Sequence, residues 1–269
     1  MAIIADFHLH SIFSDDCSTP MEDMVKQSIE LGLKYICFTD HLDYDFPKKY
    51  GNIFEFNIPN YYNEINRLKE KYESKINIYT GIELGIKEEV IERLDTLLAF
   101  NKFDFVLNST HLVSNFDPYY LEFWKDKTER EGYCKYFDTY YSNICLFPKC
   151  DAHAHLDYIV RYGANKNKNY SYIDYKEYID RILDYTIAAK KMLEINTAGF
   201  KYGLKNPHPH IDILEAFYKK GGRLITIGSD AHSPEHISFK FDETCKILKD
   251  IGFKNYYIFA ERKPIELEL

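Results

Sequence analysis

Short apolar runs that read as strands alternate along this chain with segments of helical periodicity, and most of the strand-like runs end in acids and imidazoles. The alternation favours a parallel sheet covered by helices, and functional groups on such a sheet come from the C-terminal strand ends. The clusters are Asp6-Phe7-His8-Leu9-His10, Thr39-Asp40-His41, Ser109-Thr110-His111 and Ser229-Asp230-Ala231-His232, with Glu83 and His155 filling the gaps between them. Nitrogen and oxygen donors gathered at one rim would repel one another or remain unpaired without cations, so the pattern points to a multinuclear metal site of hydrolase type.

The boundaries follow from local signals. A first strand is expected over Ala2–Phe7. A helix from Pro20 to Leu31 follows, with Thr19 as cap and Glu22 completing a capping box, and Gly32 ends it. Further strands are expected over 35–39, 76–82, 103–108, 151–155, 192–196 and 224–228, and 256–259 completes the alternation. Helices are expected over 61–72, 87–99, 129–147, 175–189, 211–220 and 234–248. Seven or eight βα units emerge. In 269 residues this count predicts an α/β fold with one closed barrel spanning 1–269, and an open doubly wound sheet is the alternative. There is no Gly-rich phosphate loop and no internal repeat; Lys166-Asn167-Lys168-Asn169 reads as a polar surface loop.

Composition narrows the partners. A net charge of -8 and a pI near 5.7 disfavour nucleic acid and anionic membrane surfaces, leaving a small anionic ligand at a metal-rich site. The six Cys form no CxxC pair and lie partly in apolar runs, and no leader or membrane-spanning run is present; both predict a cytoplasmic protein with reduced thiols.

Strand side chains alternate faces, so His8 and His10, and again Asp230 and His232, form two chelating pairs on one rim. His41, Glu83, His111 and His155 join them. A lone His near an apolar run is more often structural, but the repetition at successive strand ends favours a shared site. In His153-Ala154-His155 the residue nearer the rim is His155. His208, His210 and His236 read as solvated or capping histidines. Asp15 and Asp16 return carboxylates toward the rim, and a site of several divalent ions needs such a charge beside Glu83 and Asp230.

His8-Leu9-His10, Asp40-His41, Glu83, His111, His155 and Ser229-Asp230-Ala231-His232, in this order over nearly the full chain, resemble the polymerase and histidinol phosphatase (PHP) family. The resemblance implies a distorted (β/α)7 barrel with three divalent metals, most often zinc, with manganese or iron as alternatives. It assigns His8, His10, Glu83 and Asp230 to one metal, Glu83, His111 and His155 to a second, and Asp16, His41 and His232 to a third. Glu83 bridges the first two. Many relatives carry a His where Asp16 stands; Asp15 is the fallback ligand.

Two segments, 155–163 (HLDYIVRYG) and 194–199 (EINTAG), are similar to the stand-alone histidinol phosphatases of the family, which implies hydrolysis of L-histidinol phosphate in histidine biosynthesis. Arg161 can then offer a planar fork to phosphate oxygens, and Lys201 a second contact. The expected mechanism is in-line attack by a metal-bridging hydroxide, with Arg161 on the equatorial oxygens and Asp230, His232 or a metal-bound water as acid for the leaving alkoxide. Loops around Phe13, Tyr44, Asp45, Phe116 and Asp117 offer rings and carboxylates to the substrate's imidazole and ammonium groups. The rivals are a PHP phosphoesterase acting on nucleotides or other phosphomonoesters, and a metal-dependent amidohydrolase barrel. In the latter a Lys or carboxylated Lys usually stands where this chain has Glu83. Metal storage is the non-enzymatic alternative.

Overall fold

The computed structural model describes residues 3–269; the expected start of the first strand at Ala2 lies outside them. Eight parallel segments build the sheet: β1 (Ala5–Leu9), β2 (Tyr35–Phe38), β3 (His41–Leu42), β4 (Asn77–Gly85), β5 (Phe105–Ser109), β6 (Ala152–His153), β7 (Met192–Asn196) and β8 (Ile225–Gly228). They pair in the order β1-β2-β4-β5-β6-β7-β8, with β3 on β4. Phe38 faces Thr80 and His41 faces Glu83, so β3 continues β2 in one register across the break at Thr39 and Asp40. Seven staves result.

The seam is drawn together where the last stave meets the first. Leu9 bridges Ala231, the His10 N–H donates to the Ala231 carbonyl at 3.0 Å, and the Asp230 N–H donates to the His8 carbonyl at 2.9 Å. The chain therefore forms a nearly closed (β/α)7 barrel, as the spacing of its elements predicts.

Helices α1 (Met21–Glu30), α2 (Ile58–Tyr72), α3 (Ile91–Phe100), α4 (Leu121–Trp124), α5 (Glu129–Leu146), α6 (Lys176–Ala188), α7 (Ala198–Lys201) and α8 (Ile211–Lys219) connect the staves, and α9 (Phe241–Ile251) follows the last of them. The apolar stripe of α2 is the one its periodicity predicts: Tyr61, Ile65, Leu68 and Tyr72 are buried. Thr128 and Glu131 form the capping box that opens α5.

An extra residue in β1 shapes the rim. Asp6 pairs with Ile36 but Leu9 with Phe38, three steps on one strand against two on the other, which is a bulge. Phe7 consequently sets its ring 5.5 Å from that of Tyr79, while the next residue, His8, brings Nε2 to 3.1 Å from Glu83. Tyr79 and Glu83 share a face of β4, so two successive residues of β1 address one side of the sheet.

Several local expectations fail for reasons of tertiary contact. Thr19 does not cap α1; its hydroxyl donates to the His232 carbonyl at 3.0 Å, and Pro20 stands at the cap with no side-chain bond. The helix expected over 234–248 is a 3-10 turn at Pro234–His236 followed by α9, because the Asp6 carboxylate accepts the Ser238 N–H at 3.0 Å and bends the chain there. The stave expected over 151–155 is two residues long, and His155 lies beyond it with φ of 22°.

The run at 256–259 is not a stave. It belongs to β9 (Asn255–Ala260), which pairs antiparallel with β10 (Lys263–Glu268), a strand the periodicity had not suggested. Phe259 stacks on Phe105 at 5.0 Å and the Tyr256 hydroxyl accepts the Ile4 N–H at 3.0 Å, so this ribbon packs at the barrel end opposite the acid and imidazole clusters.

Gly228 is required by the seam, since a Cβ there would lie 2.2 Å from His8 Cβ. Gly228→Ala is expected to lower stability by about 1–3 kcal/mol through overpacking, read as a lower urea midpoint. An unchanged midpoint would mean that β8 moves away from β1 at no cost.

Candidate metal centre and active site

One buried carboxylate organises the rim. Glu83, at the end of β4, has His8 Nε2 at 3.1 Å, His10 Nε2 at 3.5 Å, His41 Nδ1 at 2.8 Å, His111 Nε2 at 3.2 Å and His155 Nε2 at 2.8 Å, and it accepts the Ser109 hydroxyl at 2.6 Å. Asp230 continues the cluster: its carboxylate lies 3.4 Å from His10 Nε2 and 4.0 Å from His8 Nε2. Asp16 lies 3.7 Å from His41 Nε2 and 3.3 Å from His232 Nε2. All nine residues expected as donors thus meet at one end of the barrel.

The close alternatives separate cleanly. Asp15 is turned outward, accepting from the Asn52 side chain at 3.1 Å and the Ile53 N–H at 3.0 Å. His153 faces α6, where Nδ1 pairs with the Thr186 hydroxyl at 2.9 Å.

Carboxylates behind the ring, to which the sequence reading assigned no supporting role, fix the imidazoles. His8 Nδ1 is hydrogen-bonded to Glu194, whose other oxygen accepts the His155 N–H at 2.8 Å. His111 Nδ1 meets Asp43 at 2.8 Å. His10 Nδ1 meets the Ser14 hydroxyl at 3.0 Å, which in turn donates to Asp40 at 2.8 Å. Such partners set ring orientation and basicity in metal sites. Their one sequence signal is an acid of inward parity within or just after an apolar strand, as Glu194 is in β7.

The residues present fit divalent cations. Donor atoms of His8, His10 and Asp230, of His10, His41 and His232, and of His41, Glu83 and His111 each lie within 4.8 Å of one another. His10 Nε2, His41 Nδ1, His155 Nδ1 and His232 Nε2 are buried with no hydrogen-bond partner, although carboxylate oxygens crowd all of them but His155 Nδ1. Burial, reinforced by His232 and His41, holds the His10 imidazole well below its usual pKa, leaving it neutral for coordination. Burial would raise Glu83, but His41, His8 and His111 outweigh it and hold the carboxyl well below its ordinary range. Burial opposes the charged form of His41 too, yet Glu83 and Asp16 push it up to about 9. Without metal, protons on such imidazoles balance the buried carboxylates. Metal ions perform the same task with fixed geometry, so the site is a metal centre. Asp230, at φ of 52°, adopts the left-handed backbone that active sites tend to retain.

A cavity of about 690 Å³ opens over the centre, lined by Asp16, His41, His111, His155, Asp230 and His232 together with Asp43, Asp117, Arg161 and Lys201. Arg161 is buried against the faces of Tyr158 at 4.0 Å and Tyr202 at 4.4 Å, with Asp230 at 3.7 Å and Nε unpartnered. Lys201 donates to the Asp230 carbonyl at 2.9 Å. Asp45 and Phe116, expected beside the substrate, do not line this cavity. Asp45 is exposed and ion-paired with Arg93 at 2.9 Å, and the Phe116 ring lies under Lys49. Phe13 packs on Phe56 and Tyr61, and Tyr44 lies under Arg93. His208 is fully buried and therefore not solvated; His236 is half-buried and lines the cavity, and His210 does cap α8.

Fold and centre together define a metal-binding (β/α)7 barrel. The model of the PHP domain matches residues 6–198, and the chain belongs to the PHP family. A histidinol-phosphatase of Lactococcus lactis is 32% identical over 96% of this chain and 95% of its own length. A probable histidinol-phosphatase of Thermotoga maritima is 32% identical over 97% of each chain. The crystal structure of the histidinol phosphate phosphatase of Lactococcus lactis, complexed with zinc, L-histidinol and phosphate, superimposes with a TM-score of 0.89 at 31% identity, covering 97% of this chain and 98% of that one. A putative histidinol phosphatase from Listeria monocytogenes shares the fold, with a TM-score of 0.76 at 18% identity over 90% of this chain and all of that one.

Two outcomes are expected. Glu194→Gln removes the anionic partner of His8 and should weaken zinc binding about 10–100-fold in a chelator competition; wild-type affinity would deny Glu194 this role. Because the His41 pKa is raised to about 9, the metal-free site carries imidazole protons that binding must expel. Zinc affinity should therefore climb from pH 6 toward pH 9, with proton release measured by calorimetry in buffers of different ionisation enthalpy.

Proposed function

We propose that this chain hydrolyses L-histidinol phosphate to L-histidinol and inorganic phosphate, serving histidine biosynthesis in the cytoplasm. The observation that carries this reading is the full-length likeness, at a TM-score of 0.89, to an enzyme crystallised with zinc, L-histidinol and phosphate, combined with a buried, under-partnered Arg161 on the cavity wall of this chain. Among the described residues no helix is long and apolar enough to cross a membrane. The net charge of -8 argues against nucleic acid as substrate.

Three divalent ions, zinc by preference, fit the donor set. His8, His10, Glu83 and Asp230 would hold one, Glu83, His111 and His155 a second, and Asp16, His41 and His232 a third. Such ions, when bound, supply Lewis acidity and lower the pKa of coordinated water. The protein's own groups do the rest. Arg161 binds the phosphate oxygens through a planar donor fork and carries positive charge toward the equatorial plane of the transferring group. Lys201, half-turned to the Asp230 carbonyl, adds a second cation on the same wall. His232, its Nδ1 3.1 Å from the Asp230 carbonyl, is the acid for the leaving oxygen, because the Asp230 carboxyl, which burial would raise but His10 and His8 hold well below its ordinary range, stays ionised. Asp117, whose N–H donates to the Tyr50 hydroxyl at 3.2 Å and whose Oδ1 accepts the Tyr119 N–H at 2.8 Å, puts a carboxylate in the cavity lining for the substrate's cationic end.

His8→Ala and Asp230→Ala should abolish phosphate release and lower bound metal in elemental analysis. Arg161→Ala should mainly raise KM, by the equivalent of about 1.5–3 kcal/mol for a charge-assisted contact. Phosphate release from histidinol phosphate, compared with a nucleotide panel, tests the substrate; preference for a nucleotide would sink the assignment.

A further inference from the structure

The guanidinium of Arg161 has no close ion pair. Its nearest carboxylate, Asp230, is 3.7 Å away, and its remaining neighbours are tyrosine faces. Its position is therefore inherited from the 3-10 turn Tyr158–Arg161 that carries it.

That turn hangs from Asp157. The Asp157 carbonyl accepts the Val160 N–H at 3.0 Å. Its buried carboxylate holds a distant loop: Oδ1 lies 2.6 Å from His208 Nδ1, and Oδ2 accepts the His210 N–H at 2.8 Å and the Tyr170 hydroxyl at 3.2 Å. His208 exchanges two backbone hydrogen bonds of 2.7 Å with Asn196, the last residue of β7. The Asn196 side chain in turn lies 3.3 Å from Glu194 and 3.4 Å from Asp230. One charged contact thus ties the turn bearing Arg161 to the strand end that touches Asp230, the two sides of the anion-facing corner. Neither Asp157 nor His208 lines the cavity.

We propose that Asp157 and His208 are positioning residues for phosphate: their contact sets the distance of Arg161 from the metal centre. This rests on the assignment of Arg161 as a phosphate ligand. An amide at position 157 would turn an N–H toward donors that now meet a carboxylate oxygen, so the turn must shift while the metal ligands keep their own supports.

The test is a double-mutant cycle of Asp157→Asn with Arg161→Ala in the zinc-loaded enzyme. The readouts are the Kd for inorganic phosphate by calorimetry, KM and kcat for histidinol phosphate, and zinc content. Asp157→Asn alone should raise Kd and KM on the order of tenfold, with a smaller change in kcat and full zinc content. Added to Arg161→Ala, it should change Kd by less than about twofold, because the residue it positions is gone. Additive losses, lost zinc, or a fall in kcat at unchanged KM would each overturn the inference. His208→Gln carries the same cycle if Asp157→Asn does not accumulate as folded protein. Should histidinol phosphate prove not to be the substrate, the phosphate Kd values still decide the positioning role separately from that reading.

Discussion

A single carboxylate, Glu83, sits at the focus of five imidazoles, all within 3.5 Å; four of them are buried, and His41 is only 12% exposed. A carboxylate has two oxygens and about four lone-pair directions, and it already accepts the Ser109 hydroxyl. Hydrogen bonding alone leaves ring nitrogens unmet. Desolvated charge of this density is tolerable only when opposite charge is built in, whether by protons on the rings or by bound cations. The barrel supplies the geometry for this, because neighbouring parallel staves deliver their ends to one rim, and the bulge in β1 turns His8 inward beside Phe7.

Behind the ring stands a second tier of acids. Glu194, Asp43 and Asp40 each anchor an imidazole, the last through Ser14. The rings are thereby oriented before any cation arrives, which limits the reorganisation that binding requires. Gly85 takes part in this arrangement, since a Cβ there would overlap the Asp43 carboxylate. Close packing and electrostatics are one design at this rim.

Legibility in the sequence followed the range of the forces involved. The staves, most helices and the convergence of the nine candidate donors on one rim were readable because strand parity and helical periodicity are local, and because such residues recur at strand ends. Choosing Asp16 over Asp15 agrees with where the structure puts each carboxylate, and the reason is a distant loop, Asn52 and Ile53, that no local pattern announces. The same limit explains the errors. Thr19 is drawn from its helix by the His232 carbonyl, Ser238 by Asp6, and Asp45 by Arg93. The run at 256–259 has the composition of a stave, and only its partner strand β10 shows it to be a separate ribbon.

The seam between β1 and β8 has a kinetic meaning. Asp6 and Ser229, joined there by a 2.9 Å hydrogen bond, are 223 positions apart in the chain. Contacts of such separation carry a large loop-closure entropy and form late. Since His8, His10 and Asp230 meet across this seam, a nascent or partly unfolded chain lacks the pocket, and capture of the cation becomes a signature that the whole circuit of staves has closed.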